Sequence, residues 1–362
     1  MKRFSTIPLV RRPTLDDVAD RAGVSRTLVS LTLRELAGAS EETKRTILQA
    51  ASDLGYVPDA AARNLARKSS LSIGVMLNDM HNIFFADVVG GLQARMLESG
   101  FHVLMGVGDG LRLERSVLET FHGYRMEGAV LIGPEVRERE IEVFGRAVAT
   151  VVIGRPVRTD SVDVIVGDDR KGAILAVQHL YDLGHRDIAH LDGASIPGGG
   201  NARRRGYVDA MRRLGLERFV RIAGGGFTLG HAADGIDDLV RKRRPTAVFA
   251  VNDLVALGAM ERLSELGLST PGDVSIVGYD NTSIAAQRRV GLTSIDQPRV
   301  QIGELAASLL LERFAGRTDS SRHVLAPKLV ERESTATLIP SPKRRGKTSP
   351  TSPIPTPQET PP

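Results

Sequence analysis

Near the start of the chain, Leu15, Val18, Ala19 and Ala22 recur at helical spacing, and Gly23 then allows a sharp turn. Ser25 is placed to cap a second helix whose inner stripe is Leu28, Val29 and Leu33. Ser40 caps a third, with Glu41 and Glu42 favoured in its first turn; Ile47, Ala51 and Leu54 face inward, and Gly55 ends it. Pro58 prevents this helix from continuing, and Asp59 can cap a further helix too short to be stable alone in water. From Leu71 the pattern changes to short apolar runs that alternate with helix-length segments. The runs are Ser72 to Leu77, Phe101 to Val107, Gly128 to Ile132, Val151 to Ile153, Ile188 to Leu191, Ala247 to Val251 and Val274 to Val277. Buried strands alternating with helices predict an α/β fold of parallel sheets covered on both faces. The segment is long for one such sheet, so two lobes are expected.

The predicted organisation is therefore a basic arm (1–12), a three-helix segment (13–58), a short helix and linker (59–70), a two-lobed α/β segment (71–339) and a tail (340–362). The tail is rich in Pro, Ser, Thr and Lys, a composition expected to be disordered. Charge follows the same division. Residues 1–70 hold 12 Lys/Arg against 8 Asp/Glu and the tail holds 4 against 1, so the middle is mildly acidic within a total of +5. Basic ends on a near-neutral body fit a polyanion-binding module joined to something else. The chain has no Cys, which excludes disulfides and thiolate metal sites. It has no Trp and only 4% aromatic residues, too few for a wide base-stacking platform. No run is long and apolar enough for a membrane helix, and Phe4 to Val10 lacks the apolar core of a signal peptide, so a cytoplasmic location without membrane partners is expected.

Helix, tight Gly turn, helix is the layout of a helix-turn-helix motif. The second helix would leave Arg26, Thr27, Ser30, Leu31 and Arg34 on its outer face, where Arg26 could pair with guanine and Leu31 touch a thymine methyl. The joint pattern Thr14-Leu-Asp-Asp-Val-Ala19, Ala22-Gly-Val-Ser25, Val29-Ser30, Ser40-x-x-Thr43, Gly55-Tyr-x-Pro58 and Ala62-Arg-Asn-Leu-Ala66 closely resembles the lac repressor family of bacterial regulators. That resemblance runs almost to Ile339. It implies double-stranded DNA as a partner, contacted through Thr14, Ser25 and the outer face of the second helix. It also implies that residues 59–70 form a hinge helix, in which Asn64 contacts DNA and Leu65 is pushed into the minor groove, kinking a palindromic operator held by a dimer. Leu31 stands where many members carry Arg, and Leu28 where Thr is common, so the operator is not fixed by the resemblance. The tail has no leucine heptad, which leaves a homodimer as the expected assembly.

The resemblance extends to the family's effector domain, which is similar to periplasmic sugar-binding proteins. It picks out Asn82, Phe84 and Phe85 after the first strand and Asp109 after the second. It also picks out Arg203, Phe227, Asn252, Asp280 and Gln297, most of them near strand ends or helix starts, where open α/β sheets bind ligands. Arg155 is often a ligand contact in this family, and Asp168 is often structural. The chemistry suits a polyol: carboxylates accept hydroxyl hydrogen bonds, Arg203 donates a rigid fork, the amides do both, and a Phe packs on a ring's apolar face. A sugar effector is thus expected. The Arg-rich run Asn201-Ala-Arg-Arg-Arg205 keeps a purine or a sugar phosphate open as the alternative.

Catalysis has no such support. Gly106-Val-Gly-Asp-Gly110 begins like a dinucleotide fingerprint, but Leu111 stands where the third Gly is needed. There is no Ser/His/Asp or metal constellation, and His179 and His185, flanking one helix end, read as structural. Neither an enzyme nor a cofactor is expected. A transport solute-binding protein would have no use for the first 70 residues.

Overall fold

Local chemistry sets the ends of the first helices in the computed structural model, which describes residues 11, 13–33, 36, 38–57, 70–193, 199–224 and 226–339. Helix α1 (Leu15–Ala22) opens on a capping box: the Thr14 hydroxyl accepts from the Asp17 amide, and the Asp17 carboxylate accepts from the Thr14 amide at 2.7 Å. Gly23 (φ 67°) closes it in the left-handed region. The Ser25 hydroxyl accepts from Leu28 N at the start of α2 (Arg26–Leu33). Ser40 and Gly55 (φ 63°) bound α3 (Glu41–Leu54) as their sequence positions predict. Val18, Ala19, Val29, Ile47, Ala50 and Ala51 form the buried centre of this unit. Arg34, Asn64, Leu65, the arm other than Arg11, the hinge segment other than Ser70 and the tail lie outside the described residues.

Residues 70–339 form two lobes, each a six-stranded sheet with an apolar core on both faces. The first lobe contains β1 (Ser72–Leu77), α4 (Ile83–Glu98), β2 (His102–Val107), α5 (Leu111–Gly123), β3 (Gly128–Ile132), α6 (Glu138–Ala147), β4 (Ala149–Ile153) and β5 (Asp163–Gly167). The chain then crosses to the second lobe, which contains α7 (Asp169–Asp182), β6 (Ile188–Asp192), α8 (Gly199–Arg213), β7 (Arg221–Gly224), α9 (Leu229–Lys242), β8 (Ala247–Ala250), α10 (Asp253–Glu265), β9 (Ser275–Asp280) and β10 (Thr293–Asp296). It returns with α11 (Arg299–Phe314) and β11 (Arg322–Leu325) to the first lobe, and crosses once more to end on β12 (Lys328–Val330). Strand order is β11-β5-β4-β3-β1-β2 in one sheet and β12-β10-β9-β8-β6-β7 in the other; pairing is parallel except for β12 against β10.

Every apolar run that predicts a strand forms one. Pattern alone misses β5, β7, β10, β11 and β12. Three of these, β7, β11 and β12, are edge strands with half-exposed residues, and β10 buries Thr293 and Ser294, which look polar in sequence. Helix α11 belongs to the first lobe because it packs along α4 at bare-backbone distance: a Cβ on Gly303 would lie 2.0 Å from Val88 O, and one on Gly91 2.3 Å from Val300 O. The three crossovers, near residues 167–169, 296–299 and 325–328, bring Asp168, Asp169 and Gln297 to the boundary between lobes. Among the described residues no helix is long and apolar enough to cross a membrane.

Candidate functional site

The outer face of α2 is available as a reading surface. Ser25, Arg26 and Thr27 are exposed, Ser30 and Leu31 half-buried, while Val29 and Thr32 turn inward. Among the described residues Arg26 makes one loose, solvent-exposed ion pair, with Asp16 at 3.5 Å, easily exchanged for a phosphate or base. Thr14 is committed through its hydroxyl to capping α1.

The second site is a cleft of about 770 Å³ between the lobes. The first lobe contributes Asn82, Phe84 and Phe85 from the start of α4, and Asp109 from the loop after β2. The second lobe contributes Arg203 from α8, Phe227 from the loop before α9 and Asn252 from the start of α10. Asp280 and Gln297, at the ends of β9 and β10, close the floor. Residues far apart in sequence thus converge because parallel strands all end on one side of each sheet.

The floor is a buried polar network. Arg203, 8% exposed, donates from Nε to Asp169 Oδ1 at 2.8 Å and from a terminal nitrogen to Val251 O at 2.6 Å; its other nitrogen lies 3.7 Å from Asp280 Oδ1. The guanidinium stacks 3.7 Å over the Tyr279 ring. Burial works against this charge, but the Asp169 and Asp280 carboxylates outweigh it and hold Arg203 protonated. Asp280, 3% exposed, accepts from Gln297 Nε2 at 2.7 Å. Burial pushes its carboxyl up to about 7, only partly opposed by Arg203, whose charge is shared with Asp169, while Asp253 pushes it further. Asp280 (φ 101°) and Asn281 (φ 51°) both sit in the left-handed region. Asp253 pins that turn: one oxygen accepts from the Thr282 amide and hydroxyl, the other from Ser294 Oγ at 2.6 Å. Burial raises the Asp253 carboxyl despite these bonds.

Several expected roles change. Asn82 caps α4 through Phe84 N, and Asn252 both caps α10 and donates to Phe227 O, so each holds the wall while lining it. Arg155 does not line the cleft. It donates to the carbonyls of Pro134 and Val136, a loop also gripped from its amide side by the buried Glu114. Asp168 caps α7 through Lys171 N, whereas its neighbour Asp169 faces the cleft and pairs with Arg203. Of the Arg-rich run only Arg203 turns inward; Arg204 and Arg205 line a separate groove with Arg170 and Arg212. Asp169 and Asp253 stand outside the expected ligand set. Each directly follows a helix cap, Asp168 or Asn252, and two consecutive polar residues there were the available signal. His179 and His185 have structural partners in Thr335, Thr246 and Ala336 O.

Two family models match the chain. Residues 14–59 match the model of bacterial regulatory proteins of the lacI family, and residues 177–335 match a periplasmic binding protein-like domain. A transcriptional repressor named PurR from Vibrio campbellii is 32% identical over 333 residues, covering 90% of this chain and 99% of that protein. Among solved structures, the lac repressor dimer bound to operator and the anti-inducer ONPF superposes with a TM-score of 0.76 at 26% identity, over 90% of this chain and 100% of that one. A transcriptional regulator CelR–cellobiose complex does so at 0.67 and 29% identity, over 89% of this chain and 100% of that one. The chain belongs to the lacI family of bacterial regulatory proteins and is a DNA-binding transcriptional repressor, not an enzyme.

Proposed function

We propose that the protein is a homodimer that grips a palindromic operator and senses a sugar in the cleft between its lobes. The observation that carries the ligand half is convergence. Nine of the ten residues expected to bind ligand, from separate parts of the chain, line one cleft. The cellobiose-bound relative supports a sugar. On DNA, Arg26, Thr27, Ser30 and Leu31 of α2 read the major groove, and Arg34, Asn64 and Leu65, outside the described residues, take the DNA contacts that the family resemblance implies, Leu65 in the minor groove. The dimer reading is supported by the edge strand β2, which exposes Leu104, Met105 and Val107 beside Leu111 and Leu113 of α5. Such an apolar sheet edge is a surface that a second copy would cover.

The cleft offers a route from ligand to DNA. Arg299, at the crossover into α11, donates to Asp87 of α4 at 2.7 Å and to the main-chain carbonyl of Asp280. A ligand that draws the Asp280 side chain therefore acts on the residue whose backbone is tied, through Arg299, to α4 of the first lobe. It shifts the DNA equilibrium only by its differential affinity for the open and closed forms. The test is operator gel-shift titration of wild type and Gln297→Ala with the sugar that binds. The variant should keep operator affinity and lose most of the sugar response; an unchanged response would remove Gln297 and Asp280 from the site.

A further inference from the structure

The cleft is acidic. Among the described residues Asp79, Asp109, Glu135 and Asp169 line it against one guanidinium, that of Arg203, and Asp280, whose carboxyl burial raises, adds less than a full charge at neutral pH. In sequence, residues 194–198 and 225, next to the lining residues Gly199 and Gly226, are Ala, Ser, Ile, Pro and Gly and carry no side-chain charge. Protonating both His81 and His231 at the mouth would still leave acid in excess. The one cation is already committed to Asp169, to Val251 O and towards Asp280.

The two features that would favour an anion fail on inspection. The remaining arginines of the run, Arg204 and Arg205, face a different groove. Helix ends carry roughly half a positive charge each. The α8 end is faced by Asp169, whose Oδ2 would lie 2.8 Å from a Cβ on Gly199. The starts of α4 and α10, which also border the cleft, are capped by the Asn82 and Asn252 side chains. The end of α9, where Thr228 makes no side-chain cap bond, is a partial charge set against the Asp79, Asp109 and Glu135 carboxylates. Asp109 and Glu135 enter no ion pair among the described residues. Glu135 is also held in place, because the buried Glu114 carboxylate accepts from its amide at 2.8 Å and Arg155 fixes the flanking carbonyls.

We propose that the effector bears no phosphate or carboxylate: it is an uncharged or amine-bearing polyol, which the acidic cleft selects over its own phosphate esters. This rests on the cleft being the effector site. A dianion placed among these carboxylates is repelled strongly enough to lose at least about tenfold in affinity relative to its parent sugar.

The experiment pairs free and amino sugars (glucose, ribose, cellobiose, glucosamine) with their phosphate esters, using thermal shift and then calorimetry on the full chain. Any compound that binds should be the free or amino sugar, by the stated margin. A phosphate ester that binds while its parent does not would overturn the proposal and leave the effector site intact. If no compound binds or alters operator affinity, the effector reading itself falls. The double variant Asp109→Asn/Glu135→Gln should narrow the gap between a sugar and its ester; an unchanged gap would assign the selectivity elsewhere and overturn the charge argument.

Discussion

Asp280 holds a carboxyl that folding makes harder to ionise, so its replacement by Asn has a calculable, pH-dependent effect. The group titrates near about 7 in the folded chain against 3.8 ordinarily. Between those values the folded state keeps a proton that the unfolded state releases. Stability therefore falls as pH rises through this window, and above it the full penalty stands. At 1.36 kcal/mol per tenfold change in proton affinity, the penalty is about 4 kcal/mol. Asn cannot ionise, keeps an acceptor for Gln297 Nε2, and leaves Arg203 paired with Asp169 at 2.8 Å. Asp280→Asn should thus stabilise the unliganded protein at pH 8 by up to about 4 kcal/mol, with the gain shrinking towards zero near pH 4. In a domain of this size that is roughly 2–4 °C of melting temperature for each kcal/mol. Urea and thermal melts followed by circular dichroism from pH 4.5 to 8 would measure it. A variant less stable at pH 8, or a difference independent of pH, would refute the reasoning. Ligand response should weaken in the same variant, because a carboxylate that is costly to bury is also the strongest acceptor for a ligand's hydroxyl or amine.

Further outcomes follow from other parts of the chain. Asp163 is fully buried and accepts from Arg313, Arg317 and the Ser321 amide; burial raises its carboxyl, but the two guanidinia outweigh this and hold it low. Asp163→Ala should cost about 3–5 kcal/mol in urea melts. The stability that Asp163 contributes should be present above its unfolded value and disappear as pH falls through its lower folded one; a variant as stable as wild type at pH 7 would contradict this. Gly303→Ala forces a methyl to within 2.0 Å of Val88 O and should destabilise the α4–α11 pair by about 1–3 kcal/mol or more, seen as a lowered melting temperature. Arg26→Ala should lose about 1–3 kcal/mol of operator affinity and relax selection at one base position, whereas equal loss on all sequences would make Arg26 a phosphate contact.

The parts legible in sequence are those set by local chemistry. Thr14, Gly23, Ser40 and Gly55 mark helix ends because capping needs only neighbours along the chain. The apolar strands were legible because central parallel strands are buried on both faces. The edge strands β7, β11 and β12, with one side towards solvent, were not, although the edge strand β2 keeps an apolar run; the interior strands β5 and β10 were missed because polar residues such as Asp163, Thr293 and Ser294 break their apolar pattern. The cleft residues were found through a family resemblance rather than local pattern. Its failures fall where tertiary partners decide. Arg155 sits at a strand end like a ligand residue, yet the carbonyls of Pro134 and Val136, about twenty residues earlier, claim it. Asp169 and Asp253 gain their roles from Arg203 and Ser294, respectively 34 and 41 residues away. The inward turn of Arg203 alone among its neighbours could be read only once the rotation of α8 was known.

The central claim is a repressor whose hold on DNA answers to a sugar in the interlobe cleft. Selection of operators from random duplex DNA by the full chain, with and without a pool of free sugars, tests it most directly. The account predicts one enriched palindrome whose recovery changes with a single free sugar. Failure to enrich any sequence, or a palindrome indifferent to every sugar in the pool, would contradict it.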